Sequence, residues 1–278
     1  MRLAISNIAW DVPEDETIAQ LLNHYNVDAI DIAPGKYFPD PNLATDEDIA
    51  RIKNWWFERG IEITGMQALL FGTTGLNVFA THEVQEKLFY HLEGICRIGG
   101  HLGATRIVFG SPKNRDRTGL SDQEAHSIAV SFFRRLGDIA QSHGVIICLE
   151  PNPICYGANF MTTSQDTALV VEAIAHPAVK MQLDTGALTI NEEDVLGLLQ
   201  EHAQLIGHIH ASEADLLPLG DGTCDHAYAF RALQQYTPTH LVTIEMVATK
   251  NEPHVQSIER ALKIAIKNYR NHLGVLHS

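Results

Sequence analysis

Two kinds of segment alternate along the chain: short runs of apolar and β-branched residues, and longer stretches whose apolar positions return every three or four residues. The short runs predict strands over Leu3–Ala9, Ala29–Ala33, Ile61–Ala68, Arg106–Gly110, Val145–Glu150, Lys180–Asp184, Leu205–His210 and Leu241–Met246. The helical stretches between them are Asp15–His24, Asp46–Arg59, Glu83–Gly99, Ser121–His143, Ser164–Ile174, Glu192–Glu201, Ala227–Gln235 and Pro253–Leu273. Helix-starting chemistry opens several, as in Thr45-Asp46-Glu47-Asp48 and Ser121-Asp122-Gln123-Glu124, and glycine closes others, as at Gly60 and Gly144.

Eight strand–helix pairs in 278 residues give about 35 residues per pair, the size of a closed (β/α)₈ TIM barrel with modest insertions. A doubly wound open sheet is the alternative, but it would place a glycine-rich phosphate turn after its first strand, where this chain has Asn7-Ile8-Ala9-Trp10. No linker or low-complexity stretch interrupts the alternation, so the expected organisation is one α/β domain over residues 1–278.

Composition narrows the function. Twenty Lys and Arg against 34 Asp and Glu leave a net charge of -14, which repels a polyanion and argues against a nucleic-acid partner. No apolar run reaches the roughly 18 residues of a membrane span. The N-terminal stretch turns acidic too early for a secretory signal. Cys96, Cys148, Cys155 and Cys224 show no paired spacing, which suits a reducing cytoplasm.

In such barrels the chemistry sits at the C-terminal ends of the strands. Strand five ends in Cys148-Leu149-Glu150, strand six in Gln182-Leu183-Asp184, strand seven in His208-Ile209-His210 and strand eight in Thr243-Ile244-Glu245. Steps of 34 (150 to 184), 26 (184 to 210) and 35 (210 to 245) residues match one repeat each, so the four side chains can converge. Any one of these carboxylates alone is more often a helix cap or salt-bridge partner. Three carboxylates facing one another repel unless a cation joins them. Mixed oxygen and imidazole donors suit one divalent Mn, Co, Zn or Fe ion better than calcium. Glu150, Asp184, His210 and Glu245 are therefore the expected metal ligands.

At these residues the chain resembles the xylose isomerase-like barrel superfamily and, within it, ketose 3-epimerases of the tagatose and psicose type. The resemblance runs along essentially the whole chain. It is carried by Leu149-Glu150-Pro151-Asn152, Leu183-Asp184-Thr185, Gly207-His208-Ile209-His210-Ala211-Ser212-Glu213 with Gly220-Asp221-Gly222, and Ile244-Glu245. It implies one metal on the four ligands, with Glu150 and Glu245 also serving as the catalytic acid/base pair through a cis-enediolate. It further implies a small carbohydrate substrate and a homo-oligomer. Three departures stand out: Ala187 replaces the family's histidine, Leu216 its arginine, and Tyr156 a further glutamate. Endonuclease IV shares the barrel but needs additional histidines, one of them at the position of Ala187.

Substrate contacts are expected from Asn7, Trp10 and Gln67, from His208 one layer below His210, from His226 in the glycine-containing loop after strand seven, and from Lys113 and Arg115. The last two lie in a basic loop, Ser111-Pro112-Lys113-Asn114-Arg115-Asp116-Arg117, where they could anchor a phosphate or carboxylate of an anionic sugar. A solvated loop paired with acidic neighbours is the alternative for that segment, rim packing for Trp10, and a satisfied buried ring for His208. Two other functions compete: a metal-dependent dehydratase of the inosose or dehydroshikimate type, with His208 or His226 as acid, and a metal-containing barrel that binds without catalysis.

Overall fold

The structure, a computed structural model, describes residues 1–270. Eight parallel strands close into a barrel in sequence order: β1 (Leu3–Ser6), β2 (Ala29–Ile32), β3 (Glu62–Met66), β4 (Arg106–Phe109), β5 (Ile146–Leu149), β6 (Val179–Asp184), β7 (Ile206–Ser212) and β8 (Val242–Glu245). β8 pairs with β1 through Leu3–Val242, Ala4–Thr243 and Ile5–Ile244, which leaves no sheet edge.

Around it run α1 (Asp15–His24), α2 (Asp46–Phe57), α3 (His82–Leu102), α4 (Asp122–Ser142), α5 (Ser164–Ile174), α6 (Thr185–Ile190), α7 (Val195–His202), α8 (His226–Tyr236) and α9 (His254–Tyr269). Their apolar stripes pack on the outer face of the strands. The helix starts expected at Thr45 and Ser121 are present, each as a capping box in which Asp48 or Glu124 returns the bond. Gly60 and Gly144 take positive φ values of 73° and 70°, so each turns the chain from helix into strand where a side chain would be strained.

The differences from the expected spans are local. The first strand stops at Ser6 rather than Ala9, because the Ser6 side chain accepts from Ile8 N and curls Asn7–Ala9 into a single 3₁₀ turn. Helix α6 is too short for a periodic signal, and Asp184 caps it by accepting from Ala187 N at 2.6 Å. The last expected helix begins at His254, and its end at Leu273 falls outside the described residues. Among the described residues no helix is long and apolar enough to cross a membrane, and all four cysteines are free thiols.

Candidate metal centre and active-site cavity

Strand periodicity builds the floor of the site. Side chains two residues apart point the same way, so His210 and His208 both face the barrel interior in successive layers, as do Asp184 and Gln182. The register Asp184–His210 and Gln182–His208 sets each pair level on neighbouring strands. Glu150 follows β5 directly, and Glu245 ends β8.

The four side chains converge as the sequence pattern requires. Ligand atoms from Glu150, Asp184, His210 and Glu245 lie within 4.8 Å of one another. His210 Nδ1 is 3.2 Å from Glu245 Oε2, 3.3 Å from Glu150 Oε1 and 3.9 Å from Asp184 Oδ2. Yet neither ring nitrogen of His210, nor Glu150 Oε1, has a partner in hydrogen-bond geometry. Buried polar atoms without partners are costly, and one nitrogen aimed among three carboxylates is what a cation joining all four would satisfy. Electrostatics gives the same answer. Burial, together with the Glu245 and Glu150 charges, raises the Asp184 carboxyl to about 8. Burial opposes charge on His210, but Glu245 and Glu150 outweigh it and hold the imidazole well above its ordinary range. Without a cation the cluster must take up protons; with one the carboxylates can stay ionised. The residues fit a divalent metal ion.

The layers beneath and beside these groups hold them in place. Asp184 Oδ2 accepts from Ser212 Oγ at 2.7 Å, while its other oxygen caps α6. Gln67 Nε2 donates to Glu245 Oε1 at 2.6 Å. Asn152 Nδ2 donates to Glu150 Oε2 at 3.4 Å, and Asn152 Oδ1 accepts from Arg115. Gly110 leaves room for the Glu150 carboxylate, because a Cβ there would sit 2.0 Å from Glu150 Oε2 and push it out of place. Such outer partners fix ligand orientation.

Above the floor opens a cavity of about 1220 Å³. Of the expected substrate contacts, Gln67 and Lys113 line it. The others are placed elsewhere, each for a packing reason. Trp10 is buried with Nε1 donating to Asp15 Oδ1 at 2.7 Å. Asn7 Oδ1 accepts from Ala33 N at 2.7 Å and ties β1 to the end of β2. His208 is buried under His210, with Nε2 2.8 Å from Asp31 Oδ2 and Nδ1 without a partner in hydrogen-bond geometry, so it is packed beneath the site rather than lining the cavity. His226 lies between Glu213 Oε1 at 3.1 Å and the Tyr269 hydroxyl at 2.7 Å. Arg115 is 1% exposed, and burial lowers its guanidinium to about 10; it stands behind Glu150 rather than in the cavity.

Sequence reasoning missed Glu213, whose carboxylate accepts from Gly220 N at 2.9 Å and Cys224 N at 3.0 Å and fixes the loop after β7. It also missed Asp31, although a carboxylate in the middle of the apolar run Ala29-Ile30-Asp31-Ile32 was a visible signal. The three departures from the epimerase pattern, Tyr156, Ala187 and Leu216, all line the cavity.

A closed eight-stranded barrel with this buried cluster at its C-terminal mouth defines a TIM barrel with a candidate metal site. The sequence matches the model of the xylose isomerase-like TIM barrel family over residues 19–269, and the chain belongs to that family. It is 27% identical over 111 residues to a D-psicose 3-epimerase of Ruminiclostridium cellulolyticum, a stretch that covers 40% of this chain and 36% of that relative. Among solved structures it is similar to D-psicose 3-epimerase with D-tagatose from Clostridium cellulolyticum, with a TM-score of 0.80 and 18% identity over 98% of this chain and 100% of that one. It is similar also to a 3-keto-D-glucoside 4-epimerase from E. coli, with a TM-score of 0.76 and 18% identity over 95% and 99% of the two chains. At these identities the structural likeness establishes the fold.

Proposed function

We propose that the protein is a divalent-metal-dependent sugar isomerase or epimerase in which Glu150 and Glu245 move a proton beside a carbonyl. One observation carries this reading: two carboxylates from strands well separated around the barrel meet the same imidazole nitrogen at 3.3 and 3.2 Å on the floor of a large cavity. Membership of a sugar isomerase-like family and the epimerase names of the similar proteins support it.

A bound divalent ion, held by Glu150, Asp184, His210 and Glu245, would supply Lewis acidity to the carbonyl and neighbouring hydroxyl of a sugar. The remaining work belongs to the protein. One of the two glutamates takes the proton from the carbon beside the carbonyl, and the C–H electron pair becomes part of an enediolate. The other returns a proton to the opposite face of that carbon, which gives an epimer, or to the neighbouring carbon, which gives an isomer. Gln67 binds one oxygen of Glu245 and leaves the other turned to the centre. Arg115, through Asn152, holds Glu150 from behind and fixes its orientation. The dehydratase alternative needs an acid beside the leaving hydroxyl, and both histidines considered for it are enclosed by protein.

The test is elemental analysis of protein purified without chelator, beside a Glu150→Gln, His210→Ala double variant, followed by solvent deuterium uptake into ketoses. About one equivalent of transition metal in the wild type, almost none in the variant, and deuterium at the carbon beside the carbonyl are the expected results. No metal after reconstitution with Mn²⁺, Co²⁺ and Zn²⁺ would defeat the reading.

A further inference from the structure

The floor and the walls of the cavity differ in chemistry. The buried cluster of Glu150, Asp184, His210 and Glu245 lies at the floor, whereas the loops above present Leu69, Leu70, Phe71 and Leu76 from one side and Tyr156 and Leu216 from the other. Leu69 and Leu70 are held in place by burial, but Phe71 is 87% exposed, an aromatic ring offered at the mouth. The cavity, at about 1220 Å³, exceeds the ~300–1,000 Å³ usual for drug-sized ligands, and a monosaccharide on the floor leaves most of it unfilled.

The polar groups of the upper wall are committed to their own loops. The Thr73 hydroxyl donates to Leu70 O at 2.7 Å, Asn77 Nδ2 to Asp116 O at 2.8 Å and Ser111 Oγ to Asn114 Oδ1 at 2.5 Å. Asn152 is taken by Arg115 and Glu150. Few are free to read a second ring of hydroxyls. Nor does charge favour an anion: among the described lining residues Lys113 is the one cation, against Glu150, Asp184, Glu245, Asp116, Glu213 and Asp215. Arg115, the other expected anchor, is enclosed.

The backbone maintains this wall under strain. Asp215 and Leu216 are successive non-glycine residues at φ values of 57° and 53°, a left-handed conformation that L-residues avoid. Asp215 N donates to the Tyr156 hydroxyl at 2.8 Å and Val247 N to Leu216 O at 3.0 Å, which pins the segment between the loops after β5 and β8. The effect is to keep Leu216 on the cavity wall.

We infer that the sugar handled here carries an uncharged, apolar substituent of about ring size at the end remote from its reacting carbonyl, seated between the Leu69–Phe71 wall and Leu216. The inference rests on the reading of the floor as a sugar isomerase or epimerase site, and the experiment separates the two. One ketohexose is supplied in three forms, unsubstituted, as its 6-phosphate and as its 6-O-benzyl ether, to the metal-loaded protein in deuterated water. Exchange at the carbon beside the carbonyl is followed by NMR. The benzyl ether is expected to show a kcat/KM about tenfold or more above the free sugar, in line with the worth of an added apolar contact, with the phosphate below both. Preference for the phosphate, or three rates within about twofold, overturns the inference and leaves the isomerase reading in place. No exchange with any form overturns both. In Leu216→Gln and Phe71→Ser, checked for folding by circular dichroism, the benzyl-to-free ratio should collapse toward one; a ratio unchanged in both also overturns it.

Discussion

The two halves of the barrel mouth do different jobs. Strands β5 to β8 each end in a side chain that joins the central cluster, and those four are buried together around His210. From strands β1 to β4 the polar side chain that reaches the cluster is Gln67, and it acts by binding Glu245. Their other polar groups sit lower or behind: Asp31 accepts from Thr243 at 2.8 Å and Thr64 at 3.0 Å beneath the centre, and Asn7 links strands. On the proposed function, one half holds the reacting groups and the other positions them and shapes the space above. In free-energy terms, then, substitutions in the second half should act through the first, and by smaller factors.

The largest effect should come from the first half. Glu245→Gln removes a proton-transfer group while keeping its shape and its bond from Gln67, so kcat should fall by about 10²- to 10⁴-fold with the protein still folded. Single-turnover deuterium exchange measures this directly. A loss below tenfold would mean that Glu245 only holds the metal. The second half is next: Gln67→Leu leaves Glu245 Oε1 without its donor, and Arg115→Met leaves Asn152 and Glu150 without their cation. Each should cost about 10- to 100-fold in activity or metal affinity, read by metal titration beside kcat. If either matched Glu245→Gln, the division between the halves would fail.

Legibility from sequence followed the same division. The β5–β8 cluster could be found because each of its residues interrupts an apolar run at the same place in successive repeats, and a repeat spacing is a one-dimensional property. The closed barrel was legible for the same reason. Contacts from β1 to β4 had no such period. Trp10 and Gln67 look alike as polar-capable groups after strands, and only the three-dimensional path shows that the 3₁₀ turn at Asn7–Ala9 carries Trp10 inward to Asp15 while Gln67 reaches Glu245. Arg115 misled for a related reason. A basic loop reads as exposed, but a salt-bridge or hydrogen-bond partner 37 residues away, here Asn152, can draw one arginine of the loop into the interior. Leu216 on the wall depends on a backbone conformation that residue type does not announce.

The Glu213–His226 pair extends the comparison to pH. Burial disfavours charge on His226, but bonds to Cys224 and Glu213 outweigh it and raise the imidazole to about 9 from an ordinary 6.5. Burial likewise opposes ionisation of Glu213, and His226 with the amides of Cys224 and Gly220 brings its carboxyl below the ordinary range. A raised histidine stabilises the fold fully below its unfolded value and loses that contribution as pH passes its folded value. Stability should therefore decline between about pH 6.5 and about pH 9 by on the order of 2–3 kcal/mol from this pair. The Glu213 contribution is present above about pH 4.5 and is lost as pH falls through its lowered folded value. Urea midpoints across this range check the sign. Glu213→Gln should flatten the alkaline limb; an unflattened limb would assign the decline to other groups, with the Cys224 thiol and Tyr269 hydroxyl facing the same ring.

The smallest expected effect tests whether Trp10 belongs to the mouth at all. Its ring is 1% exposed, edge-on to Trp56 at 6.4 Å, and its Nε1 supplies one of two donors to Asp15, the other being the Tyr37 hydroxyl at 2.8 Å. Burial already raises the Asp15 carboxyl, so losing a donor leaves a buried oxygen unpaired rather than releasing an ion to water. Trp10→Phe keeps most of the packing and removes that bond, which should lower stability by about 1–2 kcal/mol and leave KM for the sugar unchanged. A KM that rose without a matching loss of stability would move Trp10 from the support to the substrate wall. The half of the mouth described here as positioning would then share in binding.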